Sequence, residues 1–134
     1  MIIGQGIDLV KVERIKSIYQ RFGIKFLNRI FSSDEIKTFD FFYSLNNSLF
    51  FQKFASSFAA KEAAVKALGT GFTNGIIFKD IEVLRKENGQ PQLKFKNKAL
   101  MHLKKNIRIK NNFSINVSMS NEKNYAIAIV TITI

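Results

Sequence analysis

The sequence predicts an α+β fold, and three observations support this prediction. The chain begins with an apolar segment, residues 2–10, that has the character of a strand interrupted by glycines. Residues 11–68 carry apolar side chains at helical spacing, whereas alternating or β-branched segments dominate residues 76–134. An Asn88-Gly89 pair between two of the later segments is a typical hairpin signal. A strand, several helices and then a run of strands is the order expected of an α+β domain.

The first half of the chain divides into four predicted helices. Ser32 and Glu35 have capping-box spacing, in which each side chain satisfies the other's backbone N–H, so they mark the start of the third helix. Asn46-Asn47-Ser48 breaks this helix, and Gly69 ends the fourth as a C-cap. The predicted helices cover residues 11–21, 25–31, 32–42 and about 49–68.

The second half is predicted to be mainly strands. Phe113, Ile115, Val117 and Met119 alternate with polar residues, as expected of a strand with one buried face. The last segment is strongly β-branched. The predicted strands cover residues 76–85, 92–96, 113–119 and 125–134, with one helix over residues 99–106.

The composition favours one domain, residues 1–134, with an anionic partner. Hydrophobic residues make up 46% of the 134 residues, enough for a single core. Cysteine is absent, which excludes disulfides and thiolate metal sites and fits a reducing, cytoplasmic location. No targeting segment or membrane span is visible, so we expect no membrane partner. The net charge of +11 favours an acidic partner, although a biased genome composition would give the same excess.

Asp8 and Glu62 are candidate ligands for a metal ion. Asp8 follows an apolar strand segment, and Glu62 lies in an Ala-rich helix whose other faces are apolar. Mg²⁺ usually binds through one or two carboxylates together with phosphate and water oxygens, so the pair suits it. The alternative is a salt bridge from Glu62 to Lys66, four residues later on the same helix. The pattern alone favours the salt bridge, because short motifs often match by chance.

Lys61, Lys66 and the Gly69-Thr70-Gly71 turn are candidate contacts for a phosphate-bearing ligand. Glycines let a backbone approach a phosphate closely, and free N–H groups can bind it. The turn follows its helix, whereas the phosphate loop of nucleotide-binding proteins precedes one, so the helix dipole does not assist here. An ordinary glycine C-cap is the alternative, and it is the better interpretation of the turn taken alone.

Several segments combine into a more specific pattern. They are Gly4-x-Gly6-Ile7-Asp8-Leu9-Val10, Arg14-Ile15, residues 58–71, Ile81-Glu82-Val83, Asn88-Gly89-x-Pro91, Val117-Ser118-Met119-Ser120 and Tyr125-Ala126-Ile127-Ala128. In order and separation they resemble the holo-acyl-carrier-protein synthase family, the small bacterial type of 4′-phosphopantetheinyl transferase. The resemblance covers essentially the whole chain. Each motif is weak alone, and the combination is specific.

The resemblance implies a fold, a reaction and a set of site residues. The fold has helices packed on an antiparallel sheet. The reaction moves 4′-phosphopantetheine from coenzyme A to a serine of apo-acyl carrier protein, for fatty acid biosynthesis, and releases adenosine 3′,5′-bisphosphate. The implied catalytic residues are Asp8, Glu62 and Lys66, with Mg²⁺ held by Asp8 and Glu62, and with Glu62, or a metal-bound water acting through it, as the candidate base. The implied coenzyme A contacts are Lys61, Lys66, Gly69, Thr70, Gly71, Asn116 and Ser118.

The resemblance also implies two protein interfaces. Acyl carrier protein is acidic, and in the family it docks on the first helix and the segment after it. Basic residues around one aromatic residue would speed encounter and anchor such a partner. In this sequence the docking residues would be Arg14, Arg21, Lys25, Phe26 and Arg29. The family is typically a homotrimer with active sites between neighbouring subunits.

Two departures from the family pattern keep alternatives open. Ser57 stands where many members carry a basic residue, and Asn116 stands where many carry histidine. Both positions are associated in the family with coenzyme A, around its adenosine 3′-phosphate. A weakened binder of coenzyme A or carrier protein is therefore one alternative function. A basic nucleic-acid-binding module is another, although the charges are scattered, no nucleic-acid motif is present, and we expect no nucleic-acid partner.

Overall fold

The computed structural model confirms the α+β class. It describes residues 1–43, 48–106 and 112–134, and within these ranges the chain forms five α-helices, five strands and one turn of 3₁₀ helix at Phe78–Asp80. In chain order the elements are β1 (Ile2–Lys11), α1 (Val12–Phe22), α2 (Ile24–Ile30), α3 (Ser33–Tyr43), α4 (Ser48–Leu68), β2 (Ile81–Arg85), β3 (Pro91–Phe95), α5 (Asn97–Asn106), β4 (Ser114–Asn121) and β5 (Tyr125–Thr133).

The strands form two antiparallel sheets. The larger sheet has the order β1-β5-β4, so the last strand is central and the first strand lies beside it at one edge. The strands β2 and β3 form a separate hairpin. Helix α4 packs against β1 and β5 and covers one face of the larger sheet, which we call the inner face. Alternate residues along β5 are buried against it, among them Ala126, Ala128 and Val130.

Two glycines allow the close contact between β1 and α4. A Cβ atom at Gly6 would lie 2.0 Å from the carbonyl oxygen of Ala63, and one at Gly4 would lie 2.1 Å from that of Ala67. The helix presents alanines at this crossing, so the two backbones meet with no larger side chain between them. The Gly4-x-Gly6 motif therefore presses the strand against the helix at the residues that lead to Asp8.

Aromatic side chains tie the helices together in the core. The buried ring of Phe54 lies 4.8 Å from the ring of Phe31 and stacks on Phe26 at 5.1 Å. Tyr19 on α1 meets Phe50 on α4 edge to face at 5.3 Å. The fully or nearly buried phenylalanines are Phe31, Phe50, Phe51, Phe54, Phe58 and Phe95. These rings stabilise the core, so they are not placed to stack on bases as a nucleic-acid module would require.

Most predicted boundaries hold within two residues, and one segment differs. The capping box is present, with Ser32 N–H donating to Glu35 Oε1 at 3.0 Å and Glu35 N–H donating to Ser32 Oγ at 3.2 Å. The prediction of strand over residues 76–80 was wrong. There the Asp80 carboxylate accepts the N–H of Ile77 at 3.1 Å and closes a tight turn instead.

Two further sequence expectations concern a break between helices and the possibility of a membrane-spanning helix. The predicted break at Asn46-Asn47 lies outside the described residues. In the described parts of the chain, no helix combines the length and the apolar character needed to cross a membrane.

Candidate active site

Asp8 lies on the inner face of β1, beside α4. It is paired with Ala128 on β5, and residues directly opposite in an antiparallel pair share a face of the sheet. Its neighbours on that face, Gly6 and Val10, are buried. The Asp8 side chain itself is 16% exposed, although it lies between these two buried neighbours. The strand therefore holds one partly buried carboxylate on the face that α4 covers.

Lys66 on α4 reaches across to this carboxylate. Its Nζ donates to Asp8 Oδ1 at 2.9 Å and to the carbonyl oxygen of Ile7 at 2.9 Å. The sequence pattern alone favoured a salt bridge between Lys66 and Glu62, but the ion pair that Lys66 forms is with Asp8. The lysine side chain is 52% exposed, so its ammonium group can also be reached from solvent.

Glu62 faces the same cluster from α4. Burial raises the pKa of its carboxyl, and the negative charge of Asp8 raises it further, whereas the charges of Lys66 and Arg14 lower it. Two carboxylates that repel each other beside a lysine form an arrangement that a divalent cation would relieve. The helix and the strand thus bring together Asp8, Glu62 and Lys66. In the chain, Asp8 lies 54 residues before Glu62 and 58 residues before Lys66.

The donor set fits Mg²⁺. Asp8 and Glu62 offer two carboxylates, and in the described residues no group of three or more His, Cys, Asp or Glu side chains forms a closed metal cage. Mg²⁺ commonly keeps several water or phosphate ligands and needs only one or two carboxylates. The Lys66 ammonium, now against Asp8 Oδ1, stands where positive charge is favoured. An open site of this kind suits a metal that is shared with a phosphate-bearing substrate.

The Gly69-Thr70-Gly71 turn ends α4 as the glycine C-cap that the sequence favoured for the turn taken alone. The N–H of Gly69 donates to Lys66 O at 3.0 Å, and those of Thr70 and Gly71 donate to Val65 O at 3.2 Å. The turn is thus a C-cap, and these N–H groups are not free for a phosphate. A Cβ at Gly69 or Gly71 would meet nothing within 4 Å, so this surface is open to close approach by a ligand.

Lys61 does not belong to this cluster, which corrects the prediction that it contacts coenzyme A. Its side chain is fully buried, with Nζ 2.7 Å from Glu35 Oε1 and 2.7 Å from Ile30 O. A third hydrogen bond reaches Phe78 O at 3.1 Å. The three N–H donors of the ammonium are all used inside the protein, so none remains for a ligand.

Asn116 and Ser118 lie on the outer face of the sheet, opposite to Asp8. Asn116 is paired with Thr131 and Ser118 with Ile129, whereas the β4 residue in the Asp8 row is Met119. Residues that alternate along a strand point to opposite faces, so Asn116 and Ser118 cannot join Asp8 within one chain. The sequence motifs did not reveal this separation.

A pocket beside Ser57 contains positive charge that the sequence pattern did not single out. The pocket has a volume of about 290 Å³ and is lined by Lys53, Ser57 and Arg85, with Met119 among its apolar walls. Burial lowers the pKa of Lys53, and the positive charge of Arg85 lowers it further, so the two cations are close enough to repel each other. Ser57 itself is uncharged, but Lys53 and Arg85 supply positive charge to the same pocket.

The predicted docking surface is partly as expected. Arg14 and Arg21 are exposed seven residues apart, which puts them on one face of α1, and Lys25 and Arg29 are exposed on α2. Phe26, the predicted apolar anchor, is half-buried because its ring stacks on Phe54. The exposed apolar side chains of this surface are instead Phe22, at 52% exposure, and Ile24, at 50%.

Comparison with known proteins first gives the class. Residues 4–130 match the sequence model of the 4′-phosphopantetheinyl transferase superfamily. The holo-[acyl-carrier-protein] synthase of Ehrlichia canis is 42% identical over 132 residues, which cover 98% of this chain and 94% of that protein. The corresponding protein of Wolbachia pipientis is 40% identical over 134 residues, 100% of this chain and 99% of its own. The chain therefore belongs to the holo-acyl-carrier-protein synthase family.

Solved structures agree with this assignment. The holo-[acyl-carrier-protein] synthase of Neisseria meningitidis superposes with a TM-score of 0.80 at 30% identity and covers 99% of each chain. The Helicobacter pylori protein, solved in complex with coenzyme A, gives a TM-score of 0.77 at 30% identity over 96% of this chain and 99% of that one. These similarities confirm both the fold and the family expected from the sequence.

Proposed function

We propose that this protein transfers the 4′-phosphopantetheine group of coenzyme A to a serine of apo-acyl carrier protein. The observation that carries the proposal is the Asp8–Glu62–Lys66 cluster at the crossing of β1 and α4, in a chain of this family. Relatives bear the name of this activity, and a neighbour in structure is described in complex with coenzyme A. The cluster offers the carboxylates and the cation that phosphoryl transfer needs.

The chemistry follows from the cluster. The serine oxygen forms a bond to the phosphorus that carries pantetheine, the bond from that phosphorus to the adenosine bisphosphate oxygen breaks, and the serine proton is lost. Glu62, whose carboxyl has a raised pKa, would accept that proton directly or through a metal-bound water. Lys66, which pairs with Asp8 at 2.9 Å, would also neutralise charge on the phosphate oxygens. Mg²⁺, held by Asp8 and Glu62, would supply further charge neutralisation when bound.

The chain offers two surfaces to which the substrate coenzyme A would bind. Near the cluster, the open surface at Gly69 and Gly71 allows the diphosphate to approach without a Cβ in its way. The pocket that Lys53 and Arg85 line offers positive charge for the adenosine 3′-phosphate. These cations would compensate for the uncharged Ser57, so we expect activity rather than the weakened binding that the sequence left open.

A homotrimer would explain why the outer face of the sheet is apolar. Ile7, Leu9, Ile127 and Ile129 are between 37% and 62% exposed, and they form two directly opposed pairs across β1 and β5. Exposed apolar patches of this kind mark protein interfaces. If neighbouring copies cover this face, Asn116 and Ser118 lie in the interface between subunits. Their expected role toward coenzyme A would then be at the site of a second subunit, which is how we reconcile their position with that role.

Acyl carrier protein would dock on the exposed basic residues of α1 and α2. Arg14 lies close enough to influence the charge of Glu62, so this surface reaches the reaction centre. Phe22 and Ile24 provide the apolar contacts, and the arginines attract an acidic partner. The cytoplasmic location stays a prediction from the cysteine-free composition.

The test is a transfer assay followed by mass spectrometry of the carrier. The protein is incubated with coenzyme A, Mg²⁺ and apo-acyl carrier protein, and we expect the carrier to gain one phosphopantetheine group. Glu62→Gln and Asp8→Asn should abolish the gain. Asp34→Asn is the matched control, because this carboxylate is 63% exposed on α3 and is not part of the cluster.

Each outcome separates the candidate functions. Transfer that is lost in the cluster variants and retained in the control supports the transferase. No transfer by a folded protein, in a tube where a known synthase is active, overturns it for this carrier. Retained binding of coenzyme A would then indicate the weakened binder, and salt-sensitive binding to DNA would indicate the nucleic-acid module. Substituting Mn²⁺ for Mg²⁺ in the same assay compares the two metals.

A further inference from the structure

A buried ion pair lies directly beside the reaction cluster, and the proposed chemistry does not use it. Lys61 immediately precedes Glu62 on α4, and its Nζ lies 2.7 Å from Glu35 Oε1 with both side chains buried. The ammonium also donates to Ile30 O and Phe78 O. It therefore joins α4 to the end of α2, to α3 and to the 3₁₀ turn before β2.

Glu35 is the centre of this connection. Its Oε1 accepts the N–H of Ser32 at 3.0 Å as well as Lys61, and its Oε2 accepts the N–H of Val83 on β2 at 3.0 Å. One carboxylate thus serves as a helix cap, as a partner for a backbone donor of the second sheet and as the counterion of Lys61. No buried side-chain nitrogen or oxygen atom in the described residues lacks a hydrogen-bond partner.

The Lys61–Glu35 pair restrains the rotation of α4 about its axis directly beside Glu62. Successive residues of an α-helix are about 100° apart, so fixing the direction of Lys61 fixes the direction of Glu62. On the other side of the helix, the contact between Gly6 and Ala63 fixes its distance from β1. Neither contact involves the carboxylate of Glu62, so the position of this carboxylate beside Asp8 depends on the rotation and distance of the helix.

We propose that Lys61 and Glu35 are positioning residues, which hold α4 in the rotation that keeps Glu62 beside Asp8. The inference rests on the proposed function for its meaning in catalysis. The three acceptors around Nζ lie on three different elements, so they restrain the lysine in direction as well as in depth. An apolar side chain would fill the same space without this directional restraint.

Stability alone is a poor explanation for the pair. Burial lowers the pKa of Lys61 and raises that of Glu35, which means that both charged forms carry a desolvation cost despite their mutual attraction. Apolar replacements of buried ion pairs are often neutral or stabilising for this reason. Since stabilisation does not require an ion pair here, the three-way restraint of Lys61 next to the reaction cluster is better explained by orientation.

The experiment compares Lys61→Met and the double variant Lys61→Met/Glu35→Gln with the wild type. The double variant removes both charges and leaves an amide oxygen to accept the N–H of Val83 or Ser32. Lys96→Gln is the control, because it breaks the outer Lys96–Glu82 pair of the same region at 3.0 Å without touching α4. Thermal unfolding identifies temperatures at which every variant is folded.

Two readouts then report on position. The first is kcat and KM for coenzyme A at saturating Mg²⁺. The second is the affinity of the substrate-free protein for Mn²⁺ alone, measured by electron paramagnetic resonance. We expect the folded Lys61 variants to lose about 10–100-fold in kcat and about 10-fold in Mn²⁺ affinity, as for other residues that orient metal ligands. KM for coenzyme A and both properties of Lys96→Gln should stay close to wild type.

The two readouts separate the failure of this inference from the failure of the proposed function. If the wild type binds Mn²⁺ but transfers nothing, the proposed function fails, and a weaker Mn²⁺ affinity in Lys61→Met still supports positioning. If the folded Lys61 variants match the wild type in kcat and in Mn²⁺ affinity, positioning is refuted. It is also refuted if the wild type shows neither Mn²⁺ binding nor transfer.

Discussion

Gly6→Ala is the perturbation that most directly tests how β1 and α4 build the cluster. The new Cβ would lie 2.0 Å from Ala63 O and 2.7 Å from Ala67 N, both of which are backbone atoms of the helix. Contacts below 3.0 Å are essentially never seen for a Cβ, so the strand and the helix must separate by about 1 Å. No side chain can rotate away to relieve the clash.

The size of the effect follows from that separation. Forcing one extra carbon into a well-packed contact costs about 1–3 kcal/mol, and we expect the upper end because backbone atoms must move. A loss of about 3 kcal/mol lowers the melting temperature of a domain of this size by about 10 °C. Asp8 follows Gly6 on the same face of the strand, so its carboxylate moves away from Glu62. A misplacement of about 1 Å can reduce turnover by about 100-fold.

The assay measures the melting temperature and kcat of the folded variant. Gly75→Ala is the control, since its φ of +78° makes alanine strained there, but the new Cβ meets only the flexible end of Lys98. That variant should lose about 1 kcal/mol of stability and keep its kcat. A Gly6→Ala protein with wild-type stability and wild-type kcat would refute the argument that close contact at Gly6 positions Asp8.

Three further predictions test other parts of the molecule. Burial raises the pKa of Glu82, but hydrogen bonds from Lys96 and Ser32 outweigh burial and lower the pKa below 4.5. The ionised carboxylate therefore stabilises the fold above pH 4.5. This contribution is lost as the pH falls through the folded pKa. Lys96→Gln should therefore cost about 0.5 kcal/mol at pH 7 and nothing at strongly acidic pH, and an equal cost at both pH values in urea unfolding would contradict this. Ile129→Lys should shift the assembly toward monomer in light scattering and lower kcat/KM, and an unchanged mass would argue against the outer face as the interface. Phe22→Ser should raise KM for acyl carrier protein about tenfold and leave KM for coenzyme A unchanged, whereas equal changes in both would exclude a docking role.

The sequence predicted the elements well because their signals are local. The capping box of Ser32 and Glu35 and the hairpin at Asn88-Gly89 each depend on residues a few positions apart, and both formed as expected, with Gly89 at a φ of +83°. The segment at residues 76–80 failed because its apolar pattern suits a strand, whereas the decisive contact is an Asp80 side chain bonded to Ile77. Periodicity does not register such a bond.

The roles of the two lysines could not be derived from local pattern. Lys61 and Lys66 both flank Glu62, yet one is fully buried and the other is half exposed. One signal was available, since Lys61 follows Phe58 by three residues and precedes Val65 by four, which places it on an apolar stripe of the helix. Its counterion, Glu35, is 26 residues earlier in the chain, and no spacing rule connects the two.

The faces of the sheet decide how the parts of the site can meet. Asp8, Glu62 and Lys66 lie together on the inner face, which α4 covers. Asn116 and Ser118 lie on the outer face among exposed isoleucines. A strand residue cannot change faces without a shift of register, and a one-residue shift would expose the buried alanines and Val130 of β5. If both sets of residues serve one reaction, the second set must come from another copy of the chain. If a neighbouring copy that covers Ile7 and Ile129 also supplies this second set, the apolar outer face and the shared site are one requirement.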